Sequence, residues 1–171
     1  MIDKKALLLL GIMWNKKKTE NLEKVLKIIE NKFGKVVKKT QEFTLSYSSY
    51  YEKEMGEDLL KSFFVIDCLI NREESVNIKH YCMNLEDNFR ENGGRTVNID
   101  PVYLDEYQVV ALSHKYKGSR VYIGKGVYGE IELLYHHGSF QPLIWTYLDY
   151  KENIPFFNEA RKYYLEWMDN D

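Results

Sequence analysis

The segment ALLLLGIMW, residues 6–14, decides the fold of this chain. A run of apolar residues without a single charge is typical of a central strand that is buried on both faces of a sheet. The next apolar residues, Leu22, Val25 and Ile29, recur with helical spacing and predict an amphipathic helix. A buried strand followed by such a helix indicates a sheet with helices packed on it.

Strands and helices continue to follow one another over the first hundred residues. The predicted elements after the first helix are a strand at 36–47, a polar loop with one helical turn at 48–61, a strand at 62–70, a helix that begins at Asn71 and a strand at 96–99. Asn71 and Glu74 have the spacing of a capping box. The resulting order of strand, helix, strand, strand, helix, strand is that of the ferredoxin-like arrangement.

The remainder of the chain has a different pattern. Its predicted elements are a helix at 104–114, two antiparallel strands around a glycine turn at 121–135, a strand at 143–147 and a final helix with Pro155 in its first turn. We therefore predict an α+β fold in a single domain, residues 1–171. A ferredoxin-like βαββαβ core at 1–100 is followed at 101–171 by a C-terminal antiparallel β elaboration and a final helix.

The composition is that of an ordinary soluble globular protein. The net charge of −2 gives no reason to expect a nucleic-acid partner. The apolar run at residues 6–10 is too short to span a bilayer, so we expect no membrane partner. Cys68 and Cys82 lack the spacing of a redox motif or a disulfide framework, which predicts reduced thiols in a cytoplasmic protein.

The segment GKGVYG, residues 124–129, satisfies the GxGxxG pattern of dinucleotide-binding loops. Such a loop needs a helix after it, so that the phosphate meets the helix N-terminus. Residues 130–134 continue as a strand instead, and a β-hairpin is therefore the favoured interpretation. Phosphate binding by this hairpin, with Lys125 supplying the charge, stays open as the alternative.

Carboxylates form the second group of candidate residues. Asp100 precedes Pro101, a pair that usually begins a turn or caps the next helix, with catalysis as the alternative. Glu130 and Glu132 alternate with apolar residues and share one face of a strand, which we expect to be exposed to solvent. The alternative is a divalent-cation site formed by Glu54, Asp100 and Glu130.

Four segments resemble the signature motifs of a bacterial family of unknown function, DUF4416. They are YYEKEMG at residues 50–56, NIDPVYL at 98–104, RVYIGKGVY at 120–128 and WTYLDY at 145–150. The departures from the family pattern are Gly129 in place of alanine and Leu148 in place of proline. Members are sometimes labelled GTP-binding proteins, but this sequence has neither the P-loop nor the NKxD motif of GTPases. The resemblance implies no catalytic residues and no cofactor.

The leading functional hypothesis is a domain that binds a nucleotide or another small phosphorylated molecule. The candidate ligand-binding residues are Asp100, Arg120, Tyr122, Lys125, Gly126, Tyr128, Glu130, Trp145 and Asp149. Arg120 and Lys125 would neutralise phosphate, and an aromatic ring would stack on the ligand. Two alternatives stay open: a metal-assisted hydrolase or transferase, and a non-catalytic homodimeric interaction module. The ligand hypothesis predicts that Asp100, Arg120, Glu130 and Asp149 line one pocket.

Overall fold

A computed structural model describes residues 5–45 and 49–170 of the chain. Within these residues the chain forms eight β-strands and five α-helices. The strands are β1 (Ala6–Asn15), β2 (Val36–Lys39), β3 (Leu59–Ile70), β4 (Val97–Leu104), β5 (Gln108–Ser113), β6 (Val121–Gly124), β7 (Val127–His136) and β8 (Ser139–Pro142). The helices are α1 (Thr19–Lys32), α2 (Ser49–Met55), α3 (Ser75–Asn88), α4 (Leu148–Glu152) and α5 (Ile154–Asp169).

All eight strands belong to one antiparallel sheet. The order is β2-β3-β1-β4-β5-β7-β6, and β8 pairs with β7. Every residue of β1 is buried, as the apolar run predicts. The mixed α and β class is therefore confirmed. The strand order is more elaborate than a four-stranded core, because β4 continues into β5 and the later strands enlarge the same sheet.

Helices cover the sheet on both faces. Successive side chains of a strand point to opposite faces, so β1 contributes to two separate cores. Leu8 and Leu10 join the core that contains the apolar faces of α1 and α3. Leu7 and Leu9 join the core that contains Tyr164 and the rest of the inner face of α5. No helix within the described ranges is long and apolar enough to cross a membrane.

The helix predicted at residues 104–114 is wrong, because this segment ends β4 and forms β5. Oδ1 of Asp105 accepts hydrogen bonds of 2.8 Å from the backbone N–H groups of Tyr107 and of the residue after it. These bonds close a tight turn between the two strands. Val109 and Val110 are both buried although they are neighbours. A strand that is covered on both faces therefore produced apolar spacing that resembles a helix.

The turn predicted at Asp100-Pro101 is also wrong, because both residues lie inside β4. Pro101 is opposite Leu10 of β1, whereas β5 pairs only with residues 102–104. One side of Pro101 consequently has no neighbouring strand, and sheets tolerate proline at such edge positions. The strand predicted at residues 96–99 is thus only the first half of β4.

The other predicted elements are present with shifted ends. The segment 36–47 is a strand only over β2, after which Phe43 forms an isolated bridge with Lys61, and residues 46–48 lie outside the described residues. The capping box of Asn71 and Glu74 is formed, and a short 3-10 turn leads from it into α3. The helical turn predicted within the loop at 48–61 corresponds to α2, and the strand predicted at 62–70 corresponds to β3. The predicted glycine hairpin is formed by β6 and β7, and the predicted final helix is α5.

Candidate functional site

A cavity of about 380 Å³ opens where β4 and β5 diverge. The two strands pair only between residues 102–104 and 109–111. Beyond these pairs, Asp100 of β4 and Ser113 of β5 both line the cavity. The other walls come from α2 and α3, from β1, β3 and β7, and from α4 with the residue before it. A break in the pairing of the sheet therefore creates the cavity.

Four of the residues predicted from the sequence meet in this cavity: Asp100, Arg120, Glu130 and Asp149. The other five candidates, Tyr122, Lys125, Gly126, Tyr128 and Trp145, are not among its lining residues. Nε1 of Trp145 instead donates a 2.8 Å hydrogen bond to the carbonyl oxygen of Ile131. The rings of Tyr122 and Tyr128 pack edge to face on each other across β6 and β7.

The glycine hairpin is a two-residue turn between β6 and β7. Lys125 and Gly126 have φ angles of 48° and 77°, which are typical of a type I′ turn. The carbonyl oxygen of Lys125 lies 2.9 Å from Nε2 of His80 on α3, so the tip of the hairpin rests against that helix. The favoured interpretation of GxGxxG as a hairpin agrees with this geometry.

The floor of the cavity contains a buried ion pair between β3 and α4. Nζ of Lys61 lies 2.6 Å from Oδ2 of Asp149. Burial lowers the pKa of Lys61, but the negative charges of Asp149 and Asp100 outweigh this effect and raise that pKa above its ordinary value. Lys61 therefore stays charged, although its side chain is buried.

A turn at residues 143–146 leads into α4 and places Asp149 in the cavity. The sequence predicted a strand over residues 143–147 here. Oγ1 of Thr146 accepts a 2.8 Å hydrogen bond from the N–H of Leu143 and donates a 2.6 Å bond to the carbonyl oxygen of Glu132. The predicted strand is therefore wrong. The turn ties α4 to β7 and orients the first turn of the helix toward the cavity.

Asp100 is held by two polar partners. Its Oδ1 lies 3.4 Å from Nζ of Lys79, and its Oδ2 accepts a 2.9 Å hydrogen bond from Asn98. Burial raises the pKa of Asp100, but the charges of Lys79 and Lys61 outweigh burial and keep that pKa below its ordinary value. Asp100 is therefore an ionised carboxylate at neutral pH.

Glu130 and Glu132 are buried, with 1% and 0% of their surface exposed, so the expectation of a solvent-exposed face is wrong. Both side chains line the cavity. The register of β5 against β7 shifts at Glu132, which has no directly opposite residue. Oε2 of Glu130 accepts a hydrogen bond from Ser119 and lies 3.3 Å from Nε of Arg120. Within the described residues, Oε1 of each glutamate has no hydrogen-bond partner.

A proton held between the two glutamates accounts for both of these unpartnered oxygens. Burial, with the hydrogen bond and charge of Glu130, raises the pKa of Glu132 to about 9. Burial also raises the pKa of Glu130, but hydrogen bonds from Glu132 and Ser119 and the charge of Arg120 bring it below its ordinary value. At neutral pH, Glu132 is a carboxylic acid that donates to the Glu130 carboxylate.

Basic side chains lie at and beside the mouth of the cavity: Arg120 and Lys115 line it, and Lys117 does not line it but contacts the lining residue Tyr147. Arg120 donates 2.9 Å hydrogen bonds from Nη1 to Ser113 and to the carbonyl oxygen of Lys115, which shapes the segment between β5 and β6. Nζ of Lys115 lies 2.9 Å from the hydroxyl of Tyr50, and that ammonium group lowers the pKa of Tyr50 through the hydrogen bond and its charge. Nζ of Lys117 lies 3.3 Å from the hydroxyl of Tyr147. In the described part of the chain, neither lysine forms a salt bridge.

Arg95 forms the wall near α2. Its Nε lies 2.6 Å from Oε1 of Glu54, and its Nη1 lies 2.7 Å from Asn98 and 3.2 Å from Glu86. Glu54 itself does not line the cavity, so it is not gathered there with Asp100 as the metal hypothesis expected. Over residues 5–45 and 49–170, no group of three or more His, Cys, Asp or Glu side chains could hold a metal ion.

Sequence patterns missed several residues of this site. Lys61 and Lys79 were not predicted, and Glu132 was not assigned to the ligand site. One signal was present for Lys79, because it directly follows Ile78 and lies three residues before Cys82, both on the buried face of α3. A lysine near an apolar stripe is buried only when a partner neutralises it, and that partner, Asp100, comes from a different element.

A family model described as Domain of unknown function (DUF4416) matches residues 4–164. The chain belongs to this family. The matched range includes every residue that lines the cavity, so the site lies within the DUF4416 domain. The resemblance drawn from the four motif segments is confirmed, and each of those segments contributes at least one lining residue: Tyr50, Asp100, Arg120 and Asp149. Searches of curated proteins and of solved structures gave no match.

Proposed function

We propose that this protein binds a small phosphorylated molecule in the cavity between β4 and β5. The observation that supports this function best is the cationic mouth of the cavity. Lys115 and Lys117 contact tyrosine hydroxyls, and Arg120 lies beside them. A phosphate oxygen in place of the tyrosine hydroxyl would carry a negative charge, so each ammonium group would gain an ion pair in addition to its hydrogen bond.

The balance of charge in the cavity also favours an anion. The buried cations Lys61 and Lys79 are paired with Asp149 and Asp100, and Arg120 lies beside Glu130. Glu132 adds no negative charge at neutral pH, because its pKa is raised to about 9. Arg95 is paired with two carboxylates outside the lining, so among the described residues the positive charge without a carboxylate partner lies at Lys115, where an anionic group of a ligand is favoured.

The position of the cavity supports the same function. All four segments that resemble the family motifs contribute to its lining, although they are far apart in the sequence.

We infer that a ferredoxin-like core supplies the scaffold, since the first four strands follow the order β2-β3-β1-β4 and α1 and α3 share one face. Metal-assisted catalysis and a homodimeric module remain predictions from the sequence.

Thermal unfolding in the presence of ligands tests the proposal. A compound that binds only the folded state raises the melting temperature by mass action. We expect at least one compound from a panel of inorganic phosphate, ethyl phosphate, sugar phosphates and nucleotides to do so at millimolar concentration. The site variant is Lys115→Gln with Lys117→Gln, which removes the two ammonium groups that contact the lining residues Tyr50 and Tyr147. The control is Lys125→Gln with Lys162→Gln, which removes the same charge away from the cavity and from the tyrosines that line it.

The two double variants make the location of binding measurable. We expect the Lys115→Gln, Lys117→Gln protein to bind its best ligand roughly tenfold or more weakly, and the control to bind as the wild type does. Failure of every phosphorylated compound to shift the wild-type protein would contradict the proposal. Equal weakening in the site variant and the control would show that binding occurs elsewhere.

A further inference from the structure

The floor of the cavity differs in chemistry from its mouth. Lys115 at the mouth has no carboxylate partner within the described residues, whereas at the floor Lys61 and Lys79 are already paired with Asp149 and Asp100, beside the carboxyl groups of Glu130 and Glu132. A phosphate group has no use for carboxylate acceptors, because both are anionic. The floor must therefore contact a different part of the ligand, one that offers hydrogen-bond donors.

We propose that Glu130 and Glu132 form a subsite for ligand hydroxyl groups, so that the ligand is a phosphorylated polyhydroxy compound of the sugar phosphate or polyol phosphate class. This inference rests on the proposed function and specifies its ligand. Both side chains are at least nine-tenths buried and line the cavity. Within the described residues, the only partner of Oε1 of each glutamate is the proton that the two share.

A hydroxyl group matches this pair because it donates one hydrogen bond and accepts others. Without ligand, the carboxylic acid of Glu132 donates to the carboxylate of Glu130. A ligand hydroxyl inserted between them accepts from Glu132 and donates to Glu130, so every polar atom keeps a partner. A ligand group that separated the pair without both donating and accepting would leave a buried atom unpaired, at a cost of about 1–3 kcal/mol, so the pair selects for hydroxyl groups.

Neighbouring side chains extend the same pattern to further hydroxyl groups. Oδ2 of Asp149 accepts a hydrogen bond from Lys61, and Oδ2 of Asp100 accepts one from Asn98. A carboxylate oxygen has two lone pairs, so each can accept a second hydrogen bond. Several acceptors within one cavity match a ligand with several hydroxyl groups.

The aromatic residues of the cavity favour a polyol over a nucleotide. A nucleobase binds by stacking on an aromatic face. The ring of Tyr150 is stacked on Phe157 at 5.5 Å, and Nζ of Lys117 lies 4.5 Å from the ring centroid of Tyr147. Nζ of Lys115 lies 5.0 Å from the ring centroid of Tyr50. The fourth lining tyrosine, Tyr51, packs edge to face with Tyr50 at 5.0 Å, so each of the four tyrosine rings already has a ring or a cation against it.

Hydroxyl binding at the pair depends on the proton of Glu132. Several ionisable groups surround the pair: Lys117 and Arg120 in the connection between β5 and β6, Lys61 on β3, Tyr147 before α4 and Asp149 on α4. Loss of the proton places a second negative charge beside Glu130 and removes the donor. Since the pKa of Glu132 is about 9, we expect polyol phosphate binding to weaken as the pH rises through that value.

Isothermal titration calorimetry with matched ligands tests the subsite. The panel contains ethyl phosphate, which has no hydroxyl group, triose, pentose, hexose and inositol phosphates, and AMP as the nucleotide. We expect at least one polyol phosphate to bind tenfold or more tightly than ethyl phosphate and more tightly than AMP. If ethyl phosphate or AMP binds as tightly as the best polyol phosphate, the inference is wrong while the proposed function stands.

Two near-isosteric variants separate the roles of the glutamates. Glu130→Gln should remove the preference for the best polyol phosphate, so that its affinity falls to that of ethyl phosphate in the same variant. Glu132→Gln keeps a neutral donor at every pH, so its polyol preference should no longer fall between pH 8 and pH 10. An unchanged polyol preference in folded Glu130→Gln protein would overturn the inference. If no phosphorylated compound binds the wild-type protein, the proposed function and this inference both fail.

Discussion

Nζ of Lys61 lies 2.6 Å from Oδ2 of Asp149, and the two side chains are only 8% and 2% exposed. The pair connects a central strand of the sheet to the short helix α4, across a separation of 88 residues in the sequence. Each charge is tolerated in this position because the other is present. The pair therefore fixes the floor of the cavity and couples the two halves of the chain.

Removal of one partner should destabilise the protein strongly, because the other charge stays buried without compensation. We expect Asp149→Leu or Lys61→Met to lower the free energy of unfolding by about 3–5 kcal/mol. Combining Lys61→Met with Asp149→Leu should cost much less than the sum of the single changes. Urea denaturation in a double-mutant cycle measures this coupling. The exposed pair of Lys162 and Glu159 provides the control, where losses below about 1 kcal/mol are expected. Additive losses at Lys61 and Asp149 would contradict this account.

A carboxylate in an ordinary salt bridge has a lowered pKa and makes the protein more stable as the pH rises. The raised pKa of Glu132 predicts the opposite trend. Between about pH 5 and pH 8 the folded protein keeps a proton on Glu132 that the unfolded chain has lost. The free energy of unfolding therefore falls as the pH rises, by at most about 1.4 kcal/mol per pH unit for this group.

The Glu132→Gln variant lacks this dependence. The free energy of unfolding of the variant minus that of the wild type should therefore increase by roughly 1–3 kcal/mol from pH 5 to pH 8. Chemical denaturation at several pH values measures the difference. Glu159→Gln, an exposed glutamate, is the matched control and should follow the wild-type curve. Parallel curves for Glu132→Gln and wild type would show that Glu132 is ionised in the folded protein.

Much of the fold could be predicted because its signals are local. The apolar run of β1, the capping box at Asn71 and the stripe of α5 each depend on residues close together in the sequence. The segment 104–114 was misassigned for a different reason. Its strand is buried on both faces, so strict alternation is lost and apolar residues such as Val109 and Val110 become adjacent.

The cavity was only partly predictable, since it depends on contacts between distant elements. Asp100 and Arg120 were noticed because polar residues stand out beside strands. Nothing near Lys61 or Lys79 in the sequence reveals the carboxylates that allow these lysines to be buried. Glu132 alternates with apolar residues as an exposed strand residue does, and only the shift of register against β5 and the turn before α4 bury it.

Arg95 should control the order of α2 beside the cavity. It joins Glu54 of α2 to Glu86 of α3, and the pKa of Glu86 is already raised by burial. Arg95→Gln should lower the free energy of unfolding by about 2–4 kcal/mol, because it leaves Glu86 with less compensation. Hydrogen exchange should also become faster in residues 49–55, which mass spectrometry resolves. Arg90→Gln, at an exposed pair with Asp87, is the control and should change neither quantity. Unchanged exchange in Arg95→Gln would mean that other contacts hold α2.

The GxGxxG segment should respond to mutation as a turn and not as a ligand loop. Lys125 occupies the first central position of a type I′ turn, with φ of 48°, where asparagine is strongly preferred. Lys125→Asn should therefore raise the free energy of unfolding by up to about 1 kcal/mol, since asparagine adopts positive φ more readily than lysine does. It should leave the affinity for every phosphorylated ligand unchanged, because Lys125 lies outside the cavity. Lys125→Val, with a β-branched side chain, should have the opposite effect on stability. Thermal unfolding and calorimetry on the same samples measure both quantities, and a loss of ligand affinity in Lys125→Asn protein would restore the hairpin as part of the site.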